Sequence, residues 1–176
     1  RLDKARDRKD WLAAMNLQAL PSINYVYADE KGNIGYVYNG QFPVRKSGVD
    51  WKDILPVDRS DLIWHSCVPF DHIPTLWNLT SGFVFNSNNT PFQATAPEDD
   101  LKPSDYPAWM GIQSNMTNRA MRALETFGAD AHIGADAFRK YKFDISYSAN
   151  SEVAKMIVEV CAHPDKDLGS ACTLLR

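Results

Sequence analysis

Apolar and polar positions follow two different periods along this chain, and the change of period divides it. In DRKDWLAAMNLQAL, residues 7–20, Trp11, Leu12, Met15 and Ala19 fall close to one helical face and Pro21 follows, which predicts a helix packed by one side. In the next segment the period drops to two. Aromatic and β-branched residues run from Tyr25 to Ala28 and again from Ile34 to Tyr38 around a glycine-containing turn at Glu30–Gly32, predicting a β-hairpin. Residues 43–82 hold no sustained period. Prolines at 43, 56, 69 and 74 and the scattered Trp51, Trp64 and Trp77 read as a long ordered loop pinned by its aromatics. Phe83–Phe85 is a short run, apolar on both faces, and predicts a third strand inside a layered sheet. After it QATAPEDDLKPSDYP is polar and proline-rich, so the chain is expected to leave the sheet.

Helical spacing returns in NMTNRAMRALETFG, residues 115–128, where Ala120, Met121, Leu124 and Phe127 form a stripe and Gly128 is a stop signal. A last helix, NSEVAKMIVEVCAH, is expected to start from an Asn150 cap. It places Val153, Met156, Ile157, Val160 and Cys161 on one face that should look into a core. The chain closes on ACTLLR, which reads as the first turn of another amphipathic helix. The pattern implies an α+β fold in one domain, with a hairpin and strand region at about 20–92 and a helical region at about 115–176.

Composition adds mainly exclusions. With 176 residues, 44% hydrophobic, 23% charged and a net charge of -3, the chain can bury a core and carries no footprint for nucleic acid. No stretch reaches the roughly 20 apolar residues needed to cross a bilayer. The opening RLDKARDRKDW has neither Met nor a signal-like apolar run, and Arg1 reads as a cut. Cys67, Cys161 and Cys172 lack metal-type spacing; buried free thiols are the default, and a Cys161–Cys172 bridge is open if the protein is exported.

The usual chemical constellations are missing. His65, His72, His132 and His163 show no ligand-type pairing, and no nucleophile elbow, P-loop or dinucleotide fingerprint occurs. Glu98, Asp99 and Asp100 form a solvated acidic loop or part of a hard-cation site. What remains is FVFNSNNTPF, residues 83–92, with three asparagines within four positions. One reading is a strand-ending turn, since Asn tolerates left-handed backbone and Pro91 breaks a ladder. Another treats the triplets at Asn78, Asn88 and Asn115 as glycosylation sequons. The third makes one side-chain amide a neutral donor to a developing oxyanion. A competing class is a non-catalytic module whose asparagines and tryptophans bind a carbohydrate or a partner protein.

Taken in order, INYVYADEKGNIGYVYNGQFPVR, SGVDW, VPFDHIP, SGFVFNSNNTPF and the Asn118-Arg119 pair that opens a helix resemble the β-chain of the penicillin amidase family. These are N-terminal-nucleophile amide hydrolases that include penicillin acylases and acyl-homoserine lactone acylases. The resemblance implies part of an αββα sandwich and an exported or periplasmic zymogen. It also implies cleavage of a small-molecule acylated amide through an acyl-serine, a serine whose own α-amine is the base. By the same resemblance Asn88 is the oxyanion-hole amide and Arg119 a cation that shapes the site.

The chemistry calls for no cofactor. A structural calcium in the intact enzyme would draw on Asp99 or Asp100 and on the backbone carbonyl of Trp51, its other ligands lying before Arg1. The nucleophile should lie before Arg1 too. Ser22, Ser47 and Ser81 are internal, and their amines are blocked. The expectation is therefore a piece of an acylase, inactive alone, whose partners are the α-chain, the rest of the β-chain and the substrate.

Overall fold

The computed structural model describes residues 1–20, 22–162 and 169–175. The chain forms two compact units, Arg1–Asn115 and Met116–Arg176.

The first unit is organised by a three-stranded antiparallel sheet of β1 (Ser22–Ala28), β2 (Ile34–Gly40) and β3 (Thr75–Trp77), in the order β1-β2-β3. The predicted hairpin is present and longer at both outer ends. Its turn is closed by Asp29, whose Oδ1 accepts from the backbone N–H groups of Lys31 and Asn33 at 3.0 and 2.9 Å. β2 is the central strand, and its pleat sends alternate residues into separate clusters. Val37 enters one with Val68, Ile73 and Met110, against which Trp11, Tyr25 and Trp77 pack. Tyr36 enters the other with Leu76 and Ala94. Both Tyr36 and Val37 are completely buried. Gly35 is needed because the ring of its cross-strand partner Trp77 lies over it, where a Cβ would collide.

Helix α1 (Arg8–Met15) is capped by Asp7, which accepts from the Asp10 N–H at 2.8 Å. It ends earlier than its pattern predicts. Gln18 takes a left-handed φ of 45°, and its Nε2 donates to the Gly40 carbonyl at 3.0 Å, turning the chain toward β2. The expected stop at Pro21 lies outside the described residues.

Two expectations about strands need correction. β3 falls at Thr75–Trp77, inside the segment read as loop, because Leu76 and Trp77 reach opposite faces of the sheet. Phe83–Phe85 forms no strand. It makes one backbone bond, Phe85 N–H to Ala94 O at 3.0 Å, while the Phe83 carbonyl accepts from the Thr95 hydroxyl at 2.8 Å, so side chains replace a ladder. Ala94 and Thr95 are buried, so the polar segment leaves the core only after them.

Among the described residues the second unit holds four helices: α2 (Asn118–Thr126), α3 (Ala135–Lys142), α4 (Glu152–Ala162) and α5 (Gly169–Leu175). Thr117 caps α2 through the Ala120 N–H at 3.2 Å. α3 has no counterpart in the sequence reading. Its apolar positions are few, but Phe138 and Tyr141 meet Phe127 edge-on at 5.8 and 5.3 Å. α5 continues the helical turn expected at ACTLLR.

α4 is capped by Ser151 rather than Asn150, through the Ala154 N–H at 3.2 Å. Its apolar face is not core-facing as expected: Val153 is 42%, Met156 56% and Val160 43% exposed, and only Cys161 is buried. Helical spacing creates such a face, but a packing neighbour has to bury it. Cys161 is bonded to Cys172 on α5, and Cys67 is an exposed free thiol, so neither fits the default of buried free thiols.

Candidate active site

The asparagine run forms a tight turn whose members have separate tasks. Asn89 is buried at 3% exposure. Its oxygen accepts from the Ser87 N–H at 2.7 Å, and its amide nitrogen donates to the carbonyls of Gln93 and Thr90 at 2.7 and 3.2 Å. It is the structural member, satisfied on both sides. Asn86 Oδ1 accepts the Asn88 N–H at 2.9 Å and the Asn24 side-chain amide, also at 2.9 Å. That first bond makes an Asx turn, and Asn88 sits beyond it at a left-handed φ of 58°. Thr90 then accepts from the Phe92 N–H at 3.3 Å, and Pro91 is buried as the chain turns away.

Exposed Asn88 lines a hollow of about 300 Å³, together with Asn24 of β1, Tyr38 of β2 and Gln113 and Asn115 from the end of the unit. No charged side chain lines it. Its floor is the even-numbered face of β2, since Asn24 pairs with Tyr38. Trp77 pairs with Gly35 on the opposite face, and its ring meets Trp11 at 5.9 Å and Tyr27 at 5.7 Å. The open polar-aromatic surface required by the binding-module reading would need Trp77 beside Asn86 and Asn88. The pleat separates them.

Arg119 is exposed in the first turn of α2 and belongs to the second unit. Three residues on, Arg122 is the arginine with a dense network. It donates to Asp144 at 2.8 and 3.2 Å and to Glu125 at 3.2 Å, while Glu125 accepts from the Ser148 hydroxyl at 2.6 Å. Bonding to Arg122 holds the Asp144 carboxyl well below its ordinary range, and the Ser148 hydroxyl does the same for Glu125. Sequence reasoning missed this clamp, because nothing near Arg122 announces a partner 22 residues away. It also missed Asn24, although two-residue alternation along β1 places it on a face with Ser22.

The calcium candidates are occupied with the backbone. Asp99 Oδ2 accepts from the Ser81 N–H at 2.7 Å, and Asp100 Oδ1 accepts from the N–H groups of Ala94 and Thr95 at 3.0 and 3.2 Å. Burial pushes the Asp100 carboxyl up to about 6, against the opposing pull of those two bonds. Trp51 donates its indole N–H to the Lys46 carbonyl at 3.0 Å. A calcium ion takes six to eight oxygens, and among the described residues no group of three or more His, Cys, Asp or Glu is arranged to hold a metal. These residues fit no more than part of a calcium site. Of the sequon residues, Asn78 is engaged in holding β3 to the hairpin turn: its oxygen accepts from the Ile34 N–H at 3.0 Å and its amide donates to Asn33 at 2.9 Å.

A mixed helix-and-sheet fold with a neutral amide-lined hollow is the setting in which the comparisons with known proteins fall. The family model for penicillin amidase matches residues 1–176, and the chain belongs to that family. The penicillin G acylase of Escherichia coli is 41% identical over 110 residues, covering 56% of this chain and 11% of that protein. A solved thermostable penicillin G acylase from Alcaligenes faecalis shares the fold with a TM-score of 0.67 at 24% identity, over 98% of this chain and 30% of that one. The chain thus spans only a small part of the relatives it matches. Among the described residues no helix is long and apolar enough to cross a membrane.

Proposed function

We propose that this chain is a segment of an amide hydrolase of the acylase type, and that the Asn88 side-chain amide is one of the donors to its oxyanion. The observation that carries this reading is the position of Asn88, exposed on an amide-lined hollow at the left-handed apex of the asparagine turn. When a nucleophile adds to an amide carbonyl, negative charge develops on the oxygen. A neutral N–H donor set in advance stabilises that charge at any pH without neutralising the attacking group. Collapse of the adduct breaks the linear C–N bond, releases the amine and leaves an acyl-serine for water to hydrolyse.

The nucleophile in this reading is an N-terminal serine supplied by another part of the parent protein. On this reading the 176-residue chain alone is inactive. The α-chain with the remaining β-chain completes the site. A structural calcium in the parent would take from this chain no more than Asp99 or Asp100 and the Trp51 carbonyl, and the chemistry does not pass through it. The sheet, covered by apolar clusters on both faces, suits one layer of an αββα sandwich. The Cys161–Cys172 bridge suits an oxidising compartment, periplasmic or external, for a protein made as a zymogen. Its substrates are small acylated amides, with penicillin-like antibiotics among the class.

In the intact enzyme, Asn88→Ala should lower kcat by about 10²–10³, or about 3–4 kcal/mol of transition-state stabilisation. Near-normal turnover by that variant would overturn the assignment.

A further inference from the structure

A second hollow in the first unit, of about 860 Å³, lies around Arg45 and involves none of the asparagine turn. The Arg45 guanidinium lies against an edge-to-face pair of indoles, 5.6 Å from the Trp51 ring and 5.9 Å from that of Trp64, the two rings being 6.2 Å apart. Its Nη1 donates to the Trp109 carbonyl at 3.3 Å. Nε is enclosed and has no acceptor, and among the described residues no carboxylate lies within ion-pairing distance of this guanidinium. A Cβ on Gly111, whose φ is 69°, would come within 3.2 Å of Nη1, so glycine lets the backbone approach the cation.

The other charged groups on the wall are Lys52 and Asp50, which offset each other, so the local excess is the charge of Arg45. Asp50 is engaged with the Lys52 N–H at 2.9 Å.

An arginine fixed against aromatic side chains and lacking an anionic partner matches a flat ligand with one negative charge. The guanidinium fork fits a carboxylate, Trp51 and Trp109 give the wall aromatic surface for a ring to pack on, and the volume falls within the range of small-molecule sites. We propose that this hollow binds a small carboxylate bearing a flat apolar ring, with the carboxylate on Arg45 and the ring against the indoles. Gln113 borders both this hollow and that of Asn88, but the proposal does not depend on the amidase reading.

Benzoate and its neutral analogue benzamide are the probes, titrated into the purified chain and followed by tryptophan fluorescence and calorimetry. Benzoate should give a saturable response and benzamide one at least about tenfold weaker, with Arg45→Gln bringing the two to equality. Equal binding of both probes by the unmodified chain, or no saturable response to benzoate, overturns the proposal whether or not the Arg45→Gln variant folds. An Asn88→Ala enzyme that keeps full turnover would leave this outcome untouched, so the two readings fail separately.

Discussion

Asn24 on β1 donates its side-chain amide to Asn86 Oδ1 at 2.9 Å, joining residues 62 apart in sequence. The same oxygen sets the Asn88 backbone, so this bond registers the turn against the sheet. Replacing Asn86 by Ala should destabilise the first unit by about 1 kcal/mol. A double-mutant cycle with Asn24→Ala should return a coupling of about 0.5 kcal/mol or more, read from urea midpoints. Strict additivity would show that the bond does not hold the turn.

At Asn88, backbone and side chain can be tested apart. Glycine keeps the left-handed conformation and loses the amide, whereas Ala loses both. In the intact amidase, Asn88→Gly should therefore fold as well as wild type yet lose about as much kcat as Asn88→Ala, 10²-fold or more. Retained turnover in the glycine variant would reduce Asn88 to a turn former.

Between about pH 6 and 4, Asp100 should give the first unit an acid response of opposite sign to that of the second. Asp61 and Asp29 of the first unit, held below their ordinary range, lose their contribution only at lower pH. Asp100 in the first unit is pushed up to about 6 from an ordinary 3.8, so between those values the folded state holds more proton than the unfolded. Its contribution to stability therefore rises as pH is lowered from 6 toward 4, and Asp100→Asn should flatten that trend. In the second unit Asp144 and Glu125 are held below their ordinary 3.8 and 4.5, so their stabilisation is present above those values and is lost as pH falls. All five tryptophans lie in the first unit. Fluorescence therefore reports that unit, and helical circular dichroism weighs the other. Parallel acid profiles from the two probes between about pH 6 and 4 would contradict the assignment.

The Cys161–Cys172 bridge spans 11 residues of separation. Chain-entropy loss in the unfolded state then stabilises the α4–α5 pair by about 3 kcal/mol. Reduction should lower the melting temperature of the helical signal and leave the tryptophan transition in place.

Gly35→Ala should destabilise the first unit by about 1–3 kcal/mol, because the new methyl collides with the Trp77 ring. The companion change Trp77→Leu should recover part of the loss, measured by thermal denaturation.

The sequence by itself determined the local elements whose signals are strong at short range. The hairpin follows from two-residue alternation around the glycine-containing turn at Glu30–Gly32, whereas the cap expected at Asn150 falls one residue on, at Ser151. It also singled out the asparagine run, since three amides before a proline are costly to place unless each finds a partner. Tertiary structure decided the rest. β3 exists because a three-residue segment meets β2, not because of its own pattern. The apolar stripe of α4 stays exposed because burial needs a second surface, which spacing along one helix cannot supply. The division of labour among Asn86, Asn88 and Asn89 was likewise set by partners outside the tripeptide: Asn24 from another strand and the Gln93 carbonyl beyond the turn. Identical side chains acquire different surroundings when residues distant in sequence bury one, bond another to a neighbouring strand and place the third at the edge of a hollow.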